Sequence, residues 1–141
     1  EVFAEGTSCL SPLDLKSRSS PYEGNTSLSR NFITDMSLGD SAAKDMVFLY
    51  MLPPGQTITI WQSSNSFDSV HELRHGGTCP GDTVAEKVDD PDTYPSSMTN
   101  TLGEAVPVYY LLSGNLMSGA FHLEWELTGG GLFMQPKIVE V

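Results

Sequence analysis

The stretch Val106–Leu127, V-P-V-Y-Y-L-L-S-G-N-L-M-S-G-A-F-H-L-E-W-E-L, decides the fold class. In its second half Phe121, Leu123, Trp125 and Leu127 alternate with His122, Glu124 and Glu126. A period of two sends one set into a core and the other into water. The first half alternates as well, with Val106, Val108, Tyr110 and Leu112 on one face. Ser113-Gly114-Asn115 and Ser118-Gly119 between them are turn chemistry. The stretch reads as a β-hairpin, two neighbouring strands of a larger antiparallel sheet that needs a second sheet on its apolar face.

Working outward, Met46–Leu52 is a nearly continuous apolar run, as expected of a central strand covered on both faces. Pro53-Pro54-Gly55 ends it, and Ile58 and Ile60 then alternate with Thr57, Thr59 and Trp61, which predicts a second hairpin with a Pro-Gly corner. Further strands are predicted at Cys9–Leu15 (broken by Pro12), weakly within Gly24–Ile33, at Phe67–Arg74 and at Thr83–Val88. An acidic loop follows over Asp89–Ser97, and Met98–Leu102 leads into the opening stretch. Short strands about ten residues apart, punctuated by Gly and Pro, argue for an all-β, antiparallel, jelly-roll-like β-sandwich. The domain organisation that follows is an N-terminal extension at 1–8, the sandwich at 9–128, and a glycine joint with a C-terminal strand at 129–141.

With 141 residues the chain makes one domain able to bury a real core. Eighteen acidic against seven basic residues give a net charge of −11. Nucleic-acid partners are thereby excluded, because phosphate affinity comes from Lys and Arg. An acidic surface suits divalent cations instead. No apolar run is long enough to cross a bilayer as a helix. Neither an initiator Met nor a leader heads the sequence, which reads as a processed chain or an excised domain. Cys9 and Cys79 are its two cysteines. In a Ser- and Thr-rich acidic chain they suggest one disulfide outside the cytosol, with two buried thiols as the alternative. Asn25-Thr26-Ser27 is an N-glycosylation sequon, which fits an extracellular protein, secreted or at the cell surface.

Ordered segments carry a family resemblance. They are Lys44–Tyr50, Leu52–Ile60, Ser66–Val70 followed by Gly77–Gly81, Asp89-Asp90, Val108-Tyr109-Tyr110 and Gly119–Leu123. In order and spacing the chain from 9 to 127 resembles the bacterial pre-peptidase C-terminal (PPC) domain, a family related to bacterial collagen-binding domains. The resemblance implies an extracellular jelly-roll-like sandwich without catalytic machinery. The positions where relatives carry the partners of these two cysteines are Ser41–Lys44 and Glu86–Val88 here, without cysteine. Cys9 and Cys79 therefore either pair with each other or stay reduced.

Three sites stand out. His71-Glu72-Leu73-Arg74-His75 matches the H-E-x-x-H zinc-protease string. That chemistry needs a helix, which projects both imidazoles from one face. Gly76-Gly77 and the Ser/Asn run before it argue for a strand, where residues four apart stand about 13 Å apart. The expected role is a solvent-facing strand with polar side chains, and catalytic residues are expected to be absent. Asp68, Asp82, Asp89, Asp90 and Asp92 form the densest carboxylate group, and Asp68, Asp89 and Asp90 are the expected calcium ligands, against a plain solvated turn. Trp61, Tyr50, Tyr109, Tyr110 and Trp125 either line a sugar- or collagen-binding face or pack in the core.

The C-terminus is apolar. Leu132, Phe133 and Met134, then Ile138, Val139 and Val141, follow the Gly129-Gly130-Gly131 joint. Such a strand completes its own sheet or adds to a neighbour's edge, with Val2 and Phe3 as a second contact. The leading expectation is a structural or adhesive module that self-associates through its terminal strands into a filament. The alternative is a carbohydrate- or collagen-binding accessory domain of a secreted hydrolase, with a polysaccharide or matrix protein as partner.

Overall fold

The computed structural model describes residues 4–36 and 43–129. The terminal segments expected to be exchanged, Val2 and Phe3 and Leu132–Val141, lie outside the described residues. The strands are β1 (Leu13–Asp14), β2 (Tyr22–Asn25), β3 (Met46–Leu52), β4 (Gln56–Asn65), β5 (Ser69–His75), β6 (Thr83–Val88), β7 (Ser96–Thr99), β8 (Val106–Gly114) and β9 (Ala120–Gly129). One sheet has the order β1-β3-β8-β5-β6 and the other β2-β9-β4-β7. Apart from the short parallel pair β1–β3, every pairing is antiparallel. The all-β sandwich expected from the two-residue periodicity is the fold of the chain.

Both expected hairpins are instead corners between the sheets. β8 pairs with β3 and β5 in the first sheet, while β9 pairs with β2 and β4 in the second. Likewise β3 and β4, on either side of Pro53-Pro54-Gly55, belong to different sheets. The reason lies in β8, which is buried along almost its whole length. A strand buried on both faces needs a strand on each side and a layer above and below. Alternation alone does not distinguish two apolar strands lying side by side from two facing each other across a core. The corner after β8 is tight. A Cβ on Gly114 would stand 2.0 Å from the Met117 carbonyl oxygen, so only glycine fits. Hydrogen bonds then anchor the start of β9, from Thr26 N–H to the Gly119 carbonyl at 2.9 Å and from Ser66 N–H to the Ala120 carbonyl at 2.9 Å.

Even-numbered residues of β3 and β8 point between the sheets. Phe48, Tyr50, Val108, Tyr110 and Leu112 meet Ile58, Ile60, Phe121 and Leu123 there. Phe48 and Phe121 pack edge to face at 6.0 Å. Odd-numbered residues form a second apolar layer outside the first sheet. Val47, Tyr109 and Leu111 are covered there by Ile33, with Phe32 and Met36 beside it. The strap at 30–36 is held by the buried carboxylate of Asp45, which accepts from Phe32 N–H at 2.9 Å and Ile33 N–H at 2.8 Å. Burial pushes the Asp45 carboxyl pKa up against these hydrogen bonds.

Cys9 and Cys79 form a disulfide across 70 residues of sequence, which resolves the open alternative in favour of the bond. Closing so long a loop contributes about 4 kcal/mol by restricting the unfolded chain.

Candidate functional site

The H-E-x-x-H string is the last five residues of β5, and it is not solvent-facing. His71 is 0% exposed, Glu72 1% and Arg74 5%. β5 lies between β8 and β6, with the core on one face and the strap on the other. Polar residues are tolerated on such a strand because each has a partner. Pleating sends His71 inward with Leu73, and Glu72 outward with Arg74. The His71 ring stacks on Tyr110, with centroids 5.0 Å apart, and its Nε2 lies 3.1 Å from Ser96 Oγ. Its Nδ1 is buried without a partner among the described residues. Burial pushes its pKa down to about 4, so the imidazole is neutral at physiological pH. On the other face Arg74 donates to Glu72 Oε1 through Nε at 3.0 Å and to both carboxylate oxygens of Asp35 at 3.2 Å. A metal held by His71 cannot have Glu72 as the base of its bound water, because the two side chains leave opposite faces of the sheet.

One end of the core contains a polar cluster that connects the two sheets. Gln62, at an inward position of β4, donates from Nε2 to Tyr110 Oη at 3.3 Å, Ser69 Oγ at 3.4 Å and the Asp92 carbonyl at 3.2 Å. Asn65 donates to Gln62 Oε1 and accepts from Phe67 N–H at 2.6 Å. Asp92 Oδ1 accepts from both Ser69 N–H and Ser69 Oγ at 3.0 Å. Sequence reasoning missed this cluster. The available signal was a polar residue on the inward register, Gln62 after Ile58 and Ile60 and Ser69 before His71 and Leu73.

Asp92 also belongs to the acidic group at the surface. Carboxylate oxygens of Asp68, Asp90 and Asp92 all lie within 4.8 Å of one another. Of the expected ligands, Asp68 and Asp90 come together. Asp89 turns aside and accepts from Asn115 Nδ2 at 3.1 Å. Asp92 takes its place, because β5 pulls it inward through Ser69. Its carboxyl pKa is raised, first by burial and then by the Asp68 and Asp90 charges, against the Ser69 hydrogen bonds. Oxygens bound to one calcium lie 2.3–2.6 Å from it, hence at most about 5 Å apart. The spread of the trio fits such an ion, and a cation would relieve the repulsion that raises Asp92.

Asn25, the sequon residue, ends β2 and accepts from Ser27 N–H at 2.9 Å. It borders a cavity of about 410 Å³ that Tyr22, Leu28, Phe121 and His122 also line. Of the aromatic residues, Tyr50, Tyr109 and Tyr110 are buried and Trp125 packs against the core. Trp61 is half-buried, opposite Glu124 in the second sheet.

No protein-family model matches the chain, and no curated protein matches it. The likeness to the PPC domain therefore rests on the sequence segments quoted above.

Proposed function

We propose that this chain is a non-catalytic extracellular β-sandwich module, structural or adhesive, which assembles with copies of itself through its terminal strands. The observation that carries the reading is at the sheet margins. The outermost described strands have two residues (β1), four (β2 and β7) and six (β6), beside inner strands of seven to ten. A short margin beside a longer strand leaves backbone N–H and C=O groups for a strand from another chain. The donors in this reading are Leu132, Phe133 and Met134, with Ile138, Val139 and Val141. Head-to-tail addition does not close on itself, so the product is a filament.

The structural role of the His71–His75 string supports a module without catalysis. The Cys9–Cys79 bond and the Asn25 sequon support an extracellular setting. Calcium at Asp68, Asp90 and Asp92 belongs to the same reading, as a stabilising ion. The test is the size distribution of the purified chain by sedimentation velocity and negative-stain microscopy. A chain ending at Gly129 should lose the high-mass assemblies, and assemblies that persist would refute the role of the tail.

A second reading, an accessory domain that binds polysaccharide or a matrix protein, draws on Trp61. It sits by Glu124 on the sheet face that carries the hydroxyl pairs Thr57–Thr99 at 2.6 Å and Thr59–Ser97 at 2.8 Å. Binding of a monomeric chain to insoluble polysaccharide or collagen, lost on Trp61→Ala, would favour it.

A further inference from the structure

Among the described residues, the second sheet is incomplete beside β9. β2 accompanies β9 only from Ala120 to Leu123, whereas β4 accompanies it from Phe121 to Gly129. Residues 124–129 therefore have a strand on one side and, among the described residues, none on the other. Burial follows the same division. Along the inward positions of β9, Phe121 is 1% exposed and Leu123 0%, Trp125 is half-buried and Leu127 is 37% exposed. The core is sealed where β2 runs and open where it stops. Trp125 N–H points to the open side, where among the described residues it reaches the Ser20 hydroxyl at 3.3 Å. In a pleated strand the N–H of Leu127 turns the same way.

The chain leaves β9 at the end of this open flank, through Gly129 with φ 76°. Residues 130–141 follow. If the chain's own tail folded back over Gly129-Gly130-Gly131, Leu132 would lie beside Thr128. The tail would meet Tyr22 after about six residues. Ile138, Val139 and Val141 would then have no place along the flank. The tail of a second copy is not bound to that register. Its Leu132–Lys137 segment can span about 20 Å between molecules, which lets Ile138–Val141 lie along residues 124–129.

We infer that the flank of β9 from Glu124 to Gly129 accepts the C-terminal strand of a second copy, with Ile138, Val139 and Val141 as the donated residues. This rests on the assembly reading above, names its acceptor and narrows the donors to the second apolar group, with Leu132, Phe133 and Met134 crossing between the two molecules. Inward-pointing side chains of the donated strand cover Leu127 and Trp125 and continue the core that β2 leaves unfinished.

The test uses the full-length chain and three full-length variants. Leu127→Pro removes an N–H that faces the flank and not the β4 ladder, Leu127→Arg places a charge there, and Ile138→Asp alters the donor. Thermal melts confirm that each variant folds. The expected result is that the unaltered chain assembles and its 124–129 amides are protected from hydrogen exchange in the assembly. All three variants should sediment as single chains of 15.3 kDa. If Ile138→Asp dissociates the assembly while a folded Leu127→Pro or Leu127→Arg chain still assembles, the acceptor lies elsewhere and only the site is overturned. If Ile138→Asp also assembles, the donor reading falls with it. An unaltered chain that sediments singly with protected 124–129 amides has filled the flank with its own tail, which overturns the inference.

Discussion

The rings of His71 and Tyr110 stack with centroids 5.0 Å apart and planes 26° apart, both residues 0% exposed. The contact joins β5 to β8 inside the sandwich, where burial keeps the imidazole neutral. His71 titrates at about 4 in the folded chain against an ordinary value of 6.5. A depressed pKa means that the unfolded chain binds the proton first as the pH falls. The stabilisation is complete above 6.5 and is lost as the pH drops toward 4, amounting to about 3 kcal/mol. Urea unfolding from pH 7 to pH 4.5 should show this loss, and His71→Phe should flatten it. An unchanged slope in the variant would remove His71 as its source.

Glu72→Ala should be severely destabilising. It removes the buried partner of Arg74 and leaves the cation with Asp35, whose side chain is 64% exposed. Stranding one member of a buried ion pair costs about 3–5 kcal/mol. Arg74→Met together with Glu72→Leu should recover much of that, since apolar residues replace both charges. Guanidinium unfolding measures both effects. A stable Glu72→Ala chain would mean that the carboxylate does not hold the outer layer together.

The fold was legible where burial is one-sided, as along β9, where inward Phe121 and Leu123 alternate with outward His122 and Glu124. Strand partners were not legible. The corner at Gly114 and the one at Gly55 carry ordinary turn chemistry, and only burial of β8 on both faces separates a corner from a hairpin. The reading of β5 failed for a related reason. Polar letters at His71, Glu72 and Arg74 suggested a wet strand, but Ser96 and Tyr110, which meet His71, and Asp35, which meets Arg74, are distant in sequence. In the acidic group, Asp68 and Asp90 were legible as a cluster. The exchange of Asp89 for Asp92 was not, because it depends on Asn115 holding one and Ser69 the other.

Opening the Cys9–Cys79 bond should lower the unfolding free energy by about 4 kcal/mol, mainly through the entropy of the unfolded chain. The double variant Cys9→Ser, Cys79→Ser isolates the effect from thiol chemistry. Its denaturant slope should also rise, because an unlinked chain exposes more surface when it unfolds. A midpoint equal to that of the oxidised chain would show that packing around Cys79 already holds the loop.

Calcium distinguishes a ligand set from a plain acidic turn by the sign of one substitution. Under the proposed function the ion binds the folded chain at Asp68, Asp90 and Asp92, whose oxygens lie within 4.8 Å. A free concentration one hundred times the dissociation constant would then stabilise the fold by about 2.7 kcal/mol. Asp90→Asn should abolish that increment. In chelator the same substitution should slightly raise the melting temperature, because the Asp90 charge acts against ionised Asp92. The sign therefore reverses between calcium and chelator. A solvated turn gives the small gain in chelator and keeps it in calcium, so melting curves of two proteins in two buffers decide the matter.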